Sequence, residues 1–205
     1  MGTFTQNRTA ETPDEIWFLE HPPVYTLGMA GRKAHVLAPG RIEVIKTDRG
    51  GQVTYHGPGQ LVVYLMLDLR RGSITIRRYV SHLEQAVINM LADLSVAAQR
   101  KEKAPGVYVH GRKIAALGVR VRKGCCYHGV SLNVDMDLSP YNDINPCGYP
   151  GLEVTQLRDE GIHMAVAEAA ARLLPCLVTE LGLAGNRRQT LTGLDGRVIS
   201  HEEVA

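Results

Sequence analysis

The stretch QVTYHGPGQLVVYLMLDL, residues 52–69, decides the fold. It predicts two β-strands joined at Gly57-Pro58-Gly59, because β-branched and aromatic residues lie on both sides of a glycine–proline run that is typical of a turn. The second strand is apolar at consecutive positions and therefore on both of its faces. This pattern is typical of a strand in the interior of a sheet.

Further strands are predicted on both sides of this segment. Residues 16–27 indicate a short strand, a kink at Pro22-Pro23 and another strand, and residues 41–48 indicate a strand that ends at the turn DRGG. Residues 106–121 predict a hairpin around HGRK, and residues 125–138 continue as a strand.

Two helices complete the predicted secondary structure. Apolar residues recur at steps of three and four from Ile76 to Leu94, with Thr75 as a plausible N-cap, and again over residues 163–181, where Pro175 is expected to kink or split the helix. The polar tail from Gly185 is expected to be an extension with one short strand. Because strands outnumber helices and do not alternate with them, the sequence predicts an α+β fold with helices covering a mostly antiparallel or mixed sheet.

The composition is that of an ordinary globular protein. The 205 residues are 44% hydrophobic and 21% charged, and no repeat or linker divides them, so we predict a single domain over residues 1–205. The polar N-terminus lacks a secretory signal, and no apolar run approaches the roughly 20 residues of a membrane span. We therefore expect a cytoplasmic protein with reduced cysteines and no membrane partner. The lack of a heptad pattern favours a monomer.

Basic residues cluster although the formal net charge is only +2. Any single cluster is expected to be a solvated face, but together they could bind an acidic protein partner. A nucleic-acid partner is not expected, because no binding motif and no interleaved aromatic residues accompany the clusters. The clusters are Arg70-Arg71, Arg77-Arg78, Arg100-Lys101 with Lys103, Arg112-Lys113, and Arg120 with Arg122-Lys123.

The segment INPCGY, residues 144–149, presents a candidate nucleophile. Cys147 lies between Pro146, which removes a backbone donor, and Gly148, which allows unusual backbone angles. A cysteine that only fills a core rarely needs this rigid, loop-forming frame. A free thiol is only a few per cent ionised at neutral pH, so a catalytic Cys147 requires a nearby cation or base.

Three residues are candidates for that activating group. His56 and His128 lie in glycine-flanked strands, and a Cys–His pair is the commonest arrangement for acyl transfer. Lys113 precedes an apolar strand, and burial there would lower its pKa and make it usable as a base. Composition alone favours Lys113 as a turn residue, and sequence spacing leaves the choice open.

Two other motifs are ambiguous. The glycine-rich residues 48–60 lack the lysine and Ser/Thr of a P-loop, so they are either turns or a binding wall, and Arg49, Tyr55 and His56 favour binding slightly. Cys125, Cys126 and His128 could suggest a metal, but no second ligand pair follows at zinc spacing, so we expect strand packing and no metal site.

The motifs taken together resemble a known family. DRGGQVTYHGPGQLVVY, PGVYV, GRKIAALGVRV, HGVSLNVDMDL and INPCGY are similar, in the same order from about Thr12 to Leu157, to the lipoyl(octanoyl) transferases of bacterial lipoate synthesis. Two departures are Val130-Ser131, where Leu-Ala is commoner, and Tyr141, where phenylalanine is commoner. Neither removes a chemical group that the reaction needs, although the first could reshape the acyl pocket.

This resemblance implies a sandwich fold around a mixed sheet, shared with the catalytic domains of biotin and lipoate protein ligases. It implies transfer of an octanoyl group from octanoyl-acyl carrier protein to a lysine of lipoyl domains, those of 2-oxo acid dehydrogenase subunits and of the glycine cleavage H protein. No cofactor and no ATP are implied.

The same resemblance assigns roles to residues. Cys147 is the nucleophile, and Lys113 is its acid/base partner in a ping-pong reaction with a thioester acyl-enzyme. The acyl-binding residues are Arg49, Gly50, Gly51, Gln52, Val53, Thr54, Tyr55, His56, Ala116, Leu117, Gly118, Gly129, Val130 and Ser131.

Two alternative functions remain open from the sequence. An ATP-dependent lipoate or biotin ligase on the same fold would need no cysteine. A non-catalytic module could instead use the glycine-rich groove to hold an acyl carrier without forming a covalent adduct.

Overall fold

The computed structural model describes residues 1–183 and the backbone of residues 190–192 and 198–200. Its strands are β1 (Glu15–Leu19), β2 (Val24–Leu27), β3 (Glu43–Lys46), β4 (Val53–His56), β5 (Gln60–Met66), β6 (Val107–Val109), β7 (Arg112–Arg122), β8 (Cys125–Asn133), β9 (Thr190–Thr192) and β10 (Val198–Ser200). Its α-helices are α1 (Gly2–Gln6), α2 (Ile76–Asp93) and α3 (Val166–Glu180). Short 3₁₀ turns cover Lys33–His35, Ser139–Asp143, Pro146–Gly148 and Leu157–Glu160.

The larger sheet has five strands in the order β1-β5-β8-β7-β6, all antiparallel. β5 has a partner on each side, which confirms the interior position predicted from its apolar residues. In the register, Val62 lies opposite Ser131 and Ser131 lies opposite Ala116. These three residues therefore share one face of the sheet, because side chains alternate along each strand.

The smaller sheet has the order β3-β2-β4, with β2 parallel to β3 and antiparallel to β4. Consecutive strands β4 and β5 thus belong to different sheets, and the turn between them carries the chain from one layer to the other. Gly59 in this turn has φ +83°, and its carbonyl oxygen accepts hydrogen bonds from the backbone N–H groups of Val134 and Asp135 at 3.1 and 3.0 Å. A Cβ at Gly59 would lie 1.9 Å from the carbonyl oxygen of Asp135.

Helices α2 and α3 cover one face of the larger sheet. The buried core there joins Leu61, Val63 and Leu65 of β5 to Leu83 of α2 and Leu173 of α3, with equivalent residues from the other strands. The smaller sheet covers the opposite face and has its own apolar cluster. Among the residues described, no helix combines the length and the apolar character needed to cross a membrane.

Most of the predicted elements are confirmed. Thr75 caps α2, its hydroxyl accepting from the backbone N–H of Arg78, and the hairpin of β6 and β7 forms as expected. Pro175 does not split α3, which is continuous because Leu174 and Leu177 pack in the core on either side of it. Helix α1 was not predicted. Gly185 lies outside the described residues, and the tail contains two paired strands, β9 and β10, instead of the one expected.

The turn at Gly59 provides a test of this layer crossing. We expect Gly59→Ala to lower the free energy of unfolding by more than about 2 kcal/mol, because strain at positive φ adds to a backbone clash. Gly161→Ala is the matched control, since Gly161 has φ +82° but a Cβ added there would meet no atom within 4 Å. Equal losses for the two variants in urea denaturation would show that the crossing is not sterically constrained.

Candidate active site

Cys147 lies in the 3₁₀ turn Pro146–Gly148 with a left-handed backbone, φ +56°. A non-glycine residue in this region is uncommon and costs conformational energy, so the surrounding structure must hold it there. The N–H of Gly148 donates to the carbonyl of Asn145 at 2.8 Å, and the N–H of Asn145 donates to the carbonyl of His35 at 2.8 Å. The turn is therefore tied to the Lys33–His35 segment, and the thiol is left half-buried.

Lys113, near the start of β7, lies directly beside this thiol. Its Nζ is 2.9 Å from Cys147 Sγ and donates also to the carbonyl oxygen of Pro105 at 3.1 Å. The ammonium lies 5.2 Å from the centre of the Tyr108 ring, in a cation–π contact. Only 3% of the residue is exposed. Its backbone N–H donates to the carbonyl of Glu153, and its carbonyl accepts from the N–H of Thr155, both at 2.9 Å.

The ionisation of Lys113 depends on Cys147. Burial disfavours the ammonium and lowers the pKa of Lys113, but the charge of Cys147 and its hydrogen bond, together with Tyr108, outweigh burial, so this pKa is raised above its usual 10.5. The lowered pKa expected from burial alone is therefore wrong in its net direction. Lys113 is therefore an ammonium ion at neutral pH, in hydrogen-bond contact with the Cys147 sulfur.

A cavity of about 510 Å³ lies between the two sheets and reaches this pair. Its floor is the face of the larger sheet that carries Val62, Ala116 and Ser131, and its roof includes Thr26 and Thr54 of the smaller sheet. The volume is in the usual range for small-molecule sites, about 300–1,000 Å³. An elongated apolar group attached to Cys147 could occupy this space.

Arg49 is hydrogen-bonded to Thr26 of the smaller sheet, which forms part of the cavity roof. Its guanidinium donates to the carbonyl of Thr26 at 2.6 Å, to the hydroxyl of Thr26 at 2.8 and 3.0 Å, and to the carbonyl of Gly50 at 2.9 Å. Burial lowers the pKa of Arg49 to about 10, which leaves it charged at neutral pH. Its positive charge faces the same cavity as Cys147.

The two histidine candidates have other partners. His56 Nδ1 lies 2.7 Å from Gln60 Oε1, and Gln60 in turn donates to Asn133 and Tyr141. Burial lowers the pKa of His56 to about 4, so its ring is neutral. His128 Nε2 contacts Asp48 at 2.8 Å. Within the described chain, neither histidine hydrogen bonds to Cys147.

The residues expected to bind the acyl group gather at the cavity with one exception. Tyr55 does not border it, because alternation along β4 turns its side chain into the smaller core with Tyr25 and Tyr141. Leu117 and Val130 border the cavity, but their side chains belong to the core under the helices. Val53 also borders the cavity, with its side chain in the apolar cluster of the smaller sheet. The remaining residues line it: Arg49, Gly50, Gly51, Gln52, Thr54, His56, Ala116, Gly118, Gly129 and Ser131.

Sequence reasoning missed several lining residues. His21 and Tyr64 form one wall, with His21 Nε2 2.6 Å from the Tyr64 hydroxyl, and Pro105 lies beside Lys113. The available signal was Tyr64, a polar-tipped residue within the apolar run 61–66 of β5.

Two of the other cysteines and four of the clustered arginines have structural roles. Cys125 and Cys126 are buried in β8, which confirms strand packing. Four of the clustered arginines are bound to carboxylates at 2.6–3.1 Å: Arg70 to Asp68, Arg71 to Asp14, Arg100 to Glu84 and Arg112 to Glu160. Other exposed basic residues of these clusters are Arg77, Arg78, Lys101, Lys103, Arg122 and Lys123.

Comparisons with known proteins agree with this architecture. A family model described as the lipoyl protein ligase A/B catalytic domain matches residues 2–178. An octanoyltransferase from Dechloromonas aromatica (strain RCB) is 59% identical over 181 residues, which cover 88% of this chain and 88% of that protein.

Solved structures show the same fold at low identity. A crystal structure of lipoate-protein ligase A bound with ATP superposes with a TM-score of 0.76 at 16% identity, covering 92% of this chain and 81% of that one. Biotin protein ligase from Aquifex aeolicus in complex with biotin and ATP gives a TM-score of 0.55 at 16% identity, covering 82% and 70%. The expected α+β sandwich of the biotin and lipoate ligases is therefore confirmed.

The buried neutral His56 predicts a pH dependence of stability. Its folded-state pKa of about 4 lies below the ordinary value of 6.5, so between these values the unfolded chain binds more protons than the folded one. Stability should thus decrease as the pH falls from 6.5 to 4, by at most roughly 3 kcal/mol from this group. His56→Gln should flatten the dependence in urea titrations, whereas the exposed-site control His163→Gln should retain it. An unchanged slope in His56→Gln would refute the assignment.

Proposed function

Because the chain belongs to the octanoyltransferases of the lipoyl protein ligase A/B catalytic-domain family, we propose that it transfers an octanoyl group from octanoyl-acyl carrier protein to a lysine of lipoyl domains through a thioester on Cys147. The observation that carries this proposal is the 2.9 Å contact between Lys113 Nζ and Cys147 Sγ at the wall of a large cavity. This arrangement supplies an activated nucleophile and a space for its acyl group.

In the first half-reaction, the Cys147 thiolate attacks the carbonyl carbon of the donor thioester. The pantetheine thiolate leaves, and the Lys113 ammonium is close enough to supply its proton. One thioester replaces another, so the exchange is close to thermoneutral and is driven by the following step.

In the second half-reaction, the acceptor lysine attacks the acyl-enzyme and must lose a proton. Acylation has by then removed the negative charge of Cys147, which is what raises the pKa of Lys113 against the effect of burial. Burial then dominates and lowers this pKa, so Lys113 becomes a base at the stage that needs one. Amide formation from a thioester is downhill, and no ATP is required.

The acyl chain is proposed to lie along the cavity floor. Ala116, Gly118, Gly129 and Ser131 present small side chains or none toward this space. Leu117 and Val130 contribute backbone there, so the Val130-Ser131 departure from the family pattern alters the pocket through Ser131.

Both protein substrates are proposed to dock near the cavity mouth. The exposed lysines Lys101 and Lys103 belong to the loop that precedes Pro105, next to the catalytic pair. They offer positive charge to acidic carrier and lipoyl domains, such as those of 2-oxo acid dehydrogenases and the glycine cleavage H protein. A cytoplasmic, single-domain monomer without a cofactor remains our expectation.

The acyl-enzyme can be detected directly. After incubation with octanoyl-acyl carrier protein, intact-mass spectrometry should show the mass of one added octanoyl group, which hydroxylamine removes. Cys147→Ala should abolish the adduct, and Cys176→Ala, at a half-buried thiol of α3, should keep it. An unmodified wild-type mass after full mixing would instead favour a non-catalytic binding module.

The rival ATP-dependent ligase is separated by turnover. Cys147→Ser should lower octanoyl transfer from the carrier protein by orders of magnitude, because a serine hydroxyl is not ionised by Lys113. Near-normal lipoyl-domain modification by this variant with free octanoate and ATP would contradict the proposal.

A further inference from the structure

We infer that Glu84 of α2 is a positioning residue for Lys113 and acts through the single peptide group that joins Pro105 to Gly106. The inference rests on the proposed function for its catalytic meaning, because it assigns a supporting carboxylate to the Lys113–Cys147 pair. Glu84 has no other part in the reaction, and no family motif quoted above contains it.

The geometry is a chain of three hydrogen bonds. Glu84 Oε1 accepts from the Gly106 N–H at 2.9 Å, and the carbonyl of the same peptide group, Pro105 O, accepts from Lys113 Nζ at 3.1 Å. Lys113 Nζ then reaches Cys147 Sγ at 2.9 Å. A carboxylate and an ammonium thus bind the two ends of one peptide dipole.

The backbone at Gly106 is shaped for this contact. Gly106 has φ +142°, and a Cβ there would lie 2.9 Å from Lys113 Cε and 2.8 Å from the carbonyl oxygen of Ala115. The lysine stem therefore lies flat against a peptide that has no side chain to displace it. Glu84 is itself 7% exposed, so this carboxylate is held in the interior and not on a solvated face.

Two physical effects connect Glu84 to the proton on Lys113. Hydrogen bonds in a chain polarise one another, so an anionic acceptor on the N–H makes Pro105 O a stronger acceptor for the ammonium. The negative charge also favours the protonated amine directly, in an interior where charges are poorly screened. Because Glu84 lies nearer to Lys113 than to Cys147 along this chain, it favours the ammonium–thiolate form over the neutral pair.

Arg100 binds the other carboxylate oxygen of Glu84 and reduces the effect of its negative charge on Lys113. Its Nε donates to Glu84 Oε2 at 3.1 Å, and its guanidinium also binds Ser81 O and Gln85 Oε1. Removing the negative charge of Glu84 should therefore disfavour the Lys113 ammonium, and removing the positive charge of Arg100 should favour it.

Other titratable groups also surround Lys113, but none in the described part of the chain takes part in the hydrogen bonds that join it to Glu84. Cys147 and Tyr108 contact Lys113 directly, and Lys101 lies over the ring of Tyr108. Those that line the same cavity are Arg49, Tyr149, Tyr64, His21, His56 and His128, and Tyr141 borders a small pocket beside Lys113 and Cys147.

The test follows the Lys113 amine by NMR of lysine-labelled, full-length protein in a Cys147→Ala background, where no thiolate contributes. Glu84→Gln keeps the shape and an acceptor oxygen but removes the charge, so the titration midpoint of Lys113 should move to lower pH. Arg100→Gln should move it to higher pH, and the double variant should fall between. Asp93→Asn, at the exposed end of α2 about 13 Å further along the helix, should leave it unchanged.

The catalytic consequence is measured separately with Cys147 present. Glu84→Gln should lower kcat about tenfold, the scale of one weakened hydrogen bond to a charged group, with little change in KM. If Glu84 had only a structural role, the Lys113 titration midpoints of Glu84→Gln and Arg100→Gln would not move in opposite directions. Equal midpoints in the two variants, or shifts of both in one direction, would therefore overturn the inference. If Glu84→Gln does not fold, the Lys113 midpoint of Arg100→Gln still tests the inference, because it should move to higher pH. If the Lys113 midpoints move as stated but the protein shows no octanoyl transfer, the proposed function is contradicted and the positioning role of Glu84 is not.

Discussion

The structure depends on one interaction, the 2.9 Å contact of the Lys113 ammonium with the Cys147 sulfur. It joins the start of β7 to a turn that follows β8, 34 residues later in the chain. A buried amine is costly as an ion, and a thiolate is costly beside an apolar cavity, but each reduces the cost of the other. The contact therefore keeps the buried Lys113 amine protonated against the cost of its burial.

The fold supplies the two constraints that this pair needs. The larger sheet gives a rigid floor, and the layer crossing at Gly59 places the smaller sheet above it. A buried polar network, in which Gln60 connects His56, Asn133 and Tyr141, joins the two layers beside the site. The left-handed backbone of Cys147 is held within this frame, so the sulfur is directed toward Lys113 without relying on a flexible loop.

The sequence predicts the helices and strands better than it predicts how the strands are arranged in the two sheets. β5 and α2 follow from hydrophobic periodicity, which is a local signal, whereas the placement of β4 and β5 in different sheets depends on remote partners. The Lys113–Cys147 pairing was likewise beyond the residue pattern, and only the family resemblance assigned it. Alternation along β4 does place Thr54 and His56 on the face opposite to Tyr55, so the position of Tyr55 away from the cavity was within reach of sequence reasoning.

The most direct measurement of the central claim is the rate of Cys147 alkylation by iodoacetamide as a function of pH, in wild type and in Lys113→Met. If the ammonium stabilises the thiolate, the wild-type profile should rise at clearly lower pH than the variant profile, which should approach that of an ordinary thiol near pH 8.5. Cys176, read by peptide mass spectrometry in the same samples, should react identically in both proteins. Superimposable Cys147 profiles would contradict the account, because the sulfur would then owe its reactivity to some other group.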